Sequence, residues 1–177
     1  MNDQLLLVCR AVMTIVFAAS VLGKVRSPGA FAAAVRVMRV VPARLAGPVA
    51  AAVPVLEAGL ALAVWVPVLT AWAFGAAAVT LVAFTAALVA VLRRGIDASC
   101  SCFGISAAPV GPAQVVRNCV LLAFSSTGLA TALAADGGAV PADHGKILLG
   151  ILVAAPLSIL LIFSEVLHEV FGRSTVK

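Results

Sequence analysis

Apolar residues run through this sequence in long blocks, and the breaks between them are rich in Arg, Lys, Pro and Gly. The first block, Leu5 to Leu22, is interrupted by Cys9 and Arg10, and Lys24, Arg26 and Ser27-Pro28-Gly29 end it. Ala30 to Val41 is patterned differently. Phe31, Ala34, Val35, Met38 and Val41 recur at helical spacing, with Arg36 and Arg39 on the other side. That pattern predicts a short amphipathic helix in the membrane interface, its arginines toward headgroups. Ala58 to Leu92 carries no charge and is too long for one span, but Val66-Pro67 divides it. Spans are therefore expected at Leu45–Val66, Leu69–Leu92, Ala113–Ala135 and Ile147–Val166, the last kinked at Pro156. Trp65 and Trp72 flank the tight hairpin, where an aromatic belt belongs. Ala58, Gly59, Ala61, Ala63, Gly75 and Ala76 to Ala78 are small enough for close helix contact in lipid.

Composition agrees with that pattern. Of the 177 residues 63% are hydrophobic and 11% charged, with mean hydropathy +1.18. Soluble domains carry about a quarter charged residues, so this chain cannot cover its surface in water. The length suits one domain over 1–177: an all-α polytopic bundle of about five transmembrane helices plus the interfacial helix. A start resembling a signal peptide lacks a basic n-region, so Leu5–Leu22 reads as a retained span. The net charge of +5 then bears on membrane orientation. Aromatics are sparse and not interleaved with basic residues, so no nucleic-acid partner is indicated, and the bilayer is the expected surroundings.

Against this background the polar exceptions stand out. Arg10 is close enough to a span end for its side chain to snorkel. Glu57 is the one acid inside a span, about 18 Å along its helix counted from Leu45. An intramembrane carboxylate is a functional candidate by default. The equal alternative is helix–helix bonding, as a neutral acid or paired with Lys24 or Arg117. Glu165, His168 and Glu169 lie one turn apart, but with no other ligand-rich segment they read as a solvated helix end, and no metal site is assigned.

The most distinctive stretch is Cys100-Ser101-Cys102-Phe103-Gly104, followed by Arg117, Asn118 and Cys119 where the next apolar run starts. A disulfide needs Cα atoms within roughly 7 Å, near the reach of an extended two-residue step. The ring would be very small and easily reduced, as redox-active disulfides are. Two buried thiols, or a pair holding a soft metal ion, are the alternatives. With five spans, the first loop, the cysteine loop and the C-terminus share one side. Cys119 enters from that side and is the third thiol for a relay. Cys9 starts at the opposite end and reads as a packing residue. Lys24, Arg94 or Arg117 would favour thiolate. All but Arg10 and Lys146 of the 12 basic residues fall on the cysteine side, which the positive-inside rule makes cytoplasmic.

Taken together, Ser20-x-x-x-Lys24 before Pro28 and Phe31, Pro54-x-x-Glu57, Cys100-x-Cys102-Phe103-Gly104 and Arg117-Asn118 resemble the methylamine-utilisation MauE family, within the DoxX-like group of small membrane proteins. The resemblance is strongest over residues 5–135. It implies an inner-membrane, redox-associated protein whose relatives help a thioredoxin-like partner form the disulfides of methylamine dehydrogenase. It also implies Cys100 and Cys102 as the redox pair, with Lys24, Glu57, Phe103, Gly104, Arg117 and Asn118 in support. The relatives' exported clients favour the outer face, against the charge count. The architecture is also similar to the vitamin K epoxide reductase bundle, an analogy that implies a quinone site near the thiols. The function expected is therefore thiol–disulfide exchange with a protein partner, linked to quinone. The alternatives are a Cu(I)-binding protein and a non-catalytic subunit of a larger complex.

Overall fold

Prolines and one left-handed residue set the helix ends at the site-bearing end of the molecule. A computed structural model describes residues 2–95, 111–134 and 144–172. Helix α1 spans Asn2–Arg26, and Ser27, at φ −139°, leaves the helical region before Pro28 opens α2, Pro28–Met38. Proline suits a first helical position because the amide it lacks has no partner there. Arg39, at φ 48°, ends α2 with its amide donating to the Arg36 carbonyl. Helix α3, Ala43–Ala63, follows Pro42. Val66 is pushed extended before Pro67, a 3₁₀ turn covers Pro67–Leu69, and α4 runs Thr70–Arg93. Helices α5, Pro112–Ala134, and α6, His144–Gly172, complete the chain.

Among the described residues there is no strand, and α1, α3, α4 and α5 are each long and apolar enough to cross a membrane. Helix α6 adds a shorter apolar run, Ile147–Phe163, and passes through Pro156 without a break. The protein is thus a polytopic membrane helix bundle. The expected boundaries of the first four spans hold to within a few residues, whereas the fifth, expected over Ile147–Val166, is a longer helix whose described apolar run, Ile147–Phe163, is shorter than the other four.

Helix α1 is the most enclosed span and packs against α3, α5 and α6. Its Leu6, Cys9, Val12, Met13, Val16 and Phe17 form the core with Leu60 and Ala61 of α3, Ala73, Phe74 and Ala77 of α4, and Leu121 of α5. Helix α2 lays Val35 and Met38 inward, with Arg36 and Arg39 exposed, and packs on the first half of α3 through Val35, Ala46 and Ala50. The amphipathic pattern of Ala30–Val41 therefore describes a helix that packs on the protein through one face and exposes its arginines on the other.

Three side-chain links fix α1 antiparallel to α3 and against the turn that leads into α4. Lys24 meets Glu57, Trp65 Nε1 donates to Thr14 Oγ1 at 2.8 Å, and Arg10 donates to Thr70 Oγ1 at 2.9 Å. This corrects one expectation. Arg10 does not snorkel: it is 1% exposed and turned into the α3–α4 hairpin. Thr70 Oγ1 in turn bonds the Val64 and Val66 carbonyls, so the guanidinium finds polar partners inside the bundle. Glu57 sits level with α1's last turn, where it meets Lys24.

Of the small residues expected at helix contacts, Ala61 and Ala77 lie in the core, but the glycines that meet a neighbour are others. Gly59 and Gly75 face open space, whereas a Cβ on Gly128 would run into the Phe74 ring and one on Gly150 would meet Leu7 Cδ2 at 2.8 Å. Gly128 seats α5 on α4, and Ser125 Oγ adds a bond to the Phe74 carbonyl at 2.8 Å. Gly150 seats α6 on α1.

Candidate functional site

Ser20 and Lys24 are one helical turn apart on α1 and so share a face. From that face Lys24 Nζ donates to Ser20 Oγ at 2.5 Å, Glu57 Oε1 at 2.7 Å and Glu57 Oε2 at 2.6 Å. An ammonium has three donors, and each has an acceptor here. Ser20 Oγ also donates to Glu57 Oε1 at 3.3 Å, closing the triangle. All three residues are buried. The rings of Phe31 and Phe84 stand 5.3 and 5.9 Å from Nζ, within cation–π range. Of the two pairings considered for Glu57, the structure shows the one with Lys24.

Helix α5 supplies the opposite wall. Pro112 is its first residue, and the Gly111 amide donates to Gln114 Oε1 at 2.7 Å, the reciprocal half of a capping box. Gln114, Arg117, Asn118 and Leu121 follow at the spacing of one helical face, and all four are buried. They line a cavity of about 130 Å³ together with Ser20, Lys24 and Glu57. Phe17, Phe31, Val35, Met38, Val53, Phe84 and Leu88 supply most of its apolar wall. Beside it, Arg94 reaches from the end of α4 to the Arg39 carbonyl at 3.2 Å, tying α4 to the α2–α3 turn.

The cavity thus gathers Lys24, Glu57, Arg117 and Asn118, four residues from three separate stretches of sequence. Cys119 is not among its lining residues. One step beyond Asn118 turns the helix by about 100°, and Cys119 lies on the exposed side of α5. Cys9 is buried in the core at the other end of α1. Cys100, Cys102, Phe103 and Gly104 lie outside the described residues, as do the side chains of Glu165, His168 and Glu169. The segment carrying the cysteine pair leaves from Gly95, after α4, and returns at Gly111, whose amide is bonded to the cavity residue Gln114. Among the described residues no three His, Cys, Asp or Glu side chains are grouped to hold a metal ion.

Sequence reasoning missed Gln114 and the cavity itself. The signal was present: Gln114 precedes Arg117 and Asn118 by three and four residues, which places it on their face. Chemically, the site combines a buried acid–ammonium pair, a second cation and amide groups against a dry, partly aromatic wall. Such an arrangement can hold a small molecule or keep a proton inventory out of contact with water.

The chain matches the family described as "Methylamine utilisation protein MauE" over residues 2–131. It is 35% identical over 169 residues to the methylamine utilization protein MauE of Paracoccus denitrificans, covering 94% of this chain and 88% of that protein. No solved structure matches it.

Proposed function

Because the chain belongs to the methylamine-utilisation MauE family, we propose that it serves disulfide formation in a methylamine-utilisation system as a membrane thiol–disulfide exchange component. Cys100 and Cys102 are the exchanging pair. The partner is a thioredoxin-like protein whose dithiol reduces the Cys100–Cys102 disulfide. Two electrons and two protons pass to this protein, and the partner leaves oxidised. The Cys100 and Cys102 thiols then return them to a membrane quinone, which becomes quinol while the disulfide re-forms. The observation that carries this reading is the convergence of Ser20, Lys24, Glu57, Gln114, Arg117 and Asn118 on one cavity, at the bundle end from which the cysteine segment departs. Positive charge there favours thiolate, the attacking species in exchange. Lys24 and Glu57 hold a proton-bearing pair beside it. Cys119, on the exposed side of α5, stands outside this arrangement.

The pair is assigned to the cytoplasmic face, where the basic residues around α2, α4 and the start of α5 accumulate. Purified protein, alkylated after poising in thiol buffers and weighed by mass spectrometry, tests the exchange. Reversible addition of two labels at Cys100 and Cys102 is expected. Stoichiometric copper with no reversible disulfide would instead establish the soft-metal reading. A membrane-impermeant maleimide on intact cells, after mild reduction, tests the sidedness. Labelling of Cys100 and Cys102 without permeabilisation would move the site to the outer face.

A further inference from the structure

Two packing clusters meet at the cavity without merging. The main core takes Leu60 and Ala61 from the second half of α3, and Ala73, Phe74, Ala77 and Leu81 from α4. The first half of α3 packs instead on α2, through Val35, Ala46 and Ala50. Between the two clusters the cavity is partly open. All of its lining from α1 and α5 is buried, whereas Phe31, Val49, Val53, Phe84 and Ala87 are half-buried and Val40 is 37% exposed. The opening therefore lies on the side of α2, α3 and α4. What can enter there is restricted inside and at the rim. Inside, Lys24, Ser20 and Glu57 are bonded to one another, and Gln114 Oε1 to the Gly111 amide. Nearly all of the accessible wall is accordingly apolar. The volume of about 130 Å³ has room for about six carbon atoms, since cavities of about 150 Å³ take up benzene. At the rim, the exposed Arg39 sits between the lining residues Met38 and Val40, and its carbonyl accepts from Arg94 Nη1 at 3.2 Å. That bond takes one of the five donors of a guanidinium. Arg44 and Arg93 are exposed close by in sequence. Among the described side chains Glu57 is the only carboxylate at this end, and Lys24 is paired with it.

We infer that this cavity is a binding site for an anionic phospholipid, which enters between α3 and α4 with the upper part of one acyl chain inside and its phosphate against Arg39 and Arg94. An apolar mouth at the end of two spans, rimmed by arginines, suits hydrocarbon below a negative head, and basic pockets between membrane helices hold such headgroups. Bound there, the lipid bridges the two packing clusters and stabilises the fold. The site stands on the cavity and its rim and needs no thiol chemistry.

The test uses the delipidated full chain in neutral maltoside micelles, read by native mass spectrometry and by the thermal unfolding midpoint. Dioleoyl phosphatidylglycerol is the probe. One molecule per chain should be retained, at least about tenfold in preference to phosphatidylcholine with the same acyl chains, and should raise the midpoint. Glycerophosphoglycerol, the same head without chains, should neither raise the midpoint nor displace the lipid. Arg39→Asn with Arg94→Gln should remove the preference between the two lipids; asparagine is chosen because it tolerates the left-handed backbone at that position. Arg26→Gln, at the far end of α2, is the control for diffuse charge and should change nothing. Ala87→Phe and, separately, Val53→Phe fill the cavity from α4 and from α3 with the arginines intact. Each should abolish retention, with the midpoint in the absence of lipid as the fold control. Equal retention of the two lipids, a loss in Arg26→Gln as large as in the Arg39 and Arg94 pair, displacement by glycerophosphoglycerol, or full retention in a folded cavity-filled variant would each overturn the inference.

Discussion

Removing the Lys24 ammonium is the sharpest perturbation the structure offers. In Lys24→Met, Glu57 loses bonds of 2.7 and 2.6 Å and keeps only the Ser20 hydroxyl at 3.3 Å, in a site walled by Phe31 and Phe84. Breaking one side of a buried pair typically costs about 3–5 kcal/mol, because the remaining charge is stranded. Both partners here are almost fully enclosed, so the upper half of that range is expected. Replacing both, as Lys24→Met with Glu57→Leu, removes the stranded charge and should return stability to within about 1 kcal/mol of the parent, or exceed it. The coupling in that double-mutant cycle should therefore exceed about 3 kcal/mol. Unfolding in mixed micelles by titration with dodecyl sulfate, followed by far-ultraviolet circular dichroism, measures all four proteins. The reasoning fails if Lys24→Met costs less than about 1 kcal/mol, or if the double variant is no more stable than the single one. The folded double variant then separates architecture from chemistry: it should lose thiol exchange although its fold is intact. Wild-type exchange kinetics across pH in that variant would reduce the pair to interhelical glue.

The remaining expectations concern the scaffold. Gly128→Leu should drive a side chain into the Phe74 ring and cost about 1–3 kcal/mol as overpacking, with partial rescue by Phe74→Ala; an unchanged unfolding midpoint would refute the α4–α5 seam. Thr70→Val should destabilise the α3–α4 hairpin by about 1–3 kcal/mol, since the buried Arg10 guanidinium loses its hydroxyl acceptor, and the same micelle titration reads it. Under native conditions N-ethylmaleimide should label Cys119 well before Cys9, which should react only on unfolding; the opposite order would contradict the packing of α1 and α5.

The helical layout was legible because its causes are local. Pro28, Pro67 and Pro112 each open a helix or helical turn, and a charge-free run such as Ala58–Leu92 has no alternative to lipid. What depends on register was not legible. That Glu57 meets the last turn of α1 could not be read, because nothing local sets the register of α3 against α1. Arg10 looked like a snorkelling residue because Thr70, its partner, is sixty positions away. Gly59 and Gly75 looked like contact glycines, yet they face open space, and it is Gly128 and Gly150 that meet a neighbour's side chain. Among the site residues, Lys24, Glu57, Arg117 and Asn118 could be named singly from charge and burial rules. Their shared cavity could not, since it needs five helices to enclose it. Gln114 was overlooked because a glutamine in a first helical turn ordinarily serves as a cap, which it also does here.

The most direct test of the thiol-exchange account is a trapping experiment in native membranes. Single variants Cys100→Ser and Cys102→Ser each leave one thiol of the pair, which can attack a partner disulfide but cannot resolve the mixed disulfide it forms. Non-reducing gels of alkylated membranes should show a partner adduct in at least one single variant. It should collapse with dithiothreitol and be absent from the Cys100→Ser, Cys102→Ser double variant. The trapped protein should be thioredoxin-like by mass spectrometry. No adduct in either single variant, with disulfide formation in methylamine dehydrogenase undiminished in the double variant, would contradict the account.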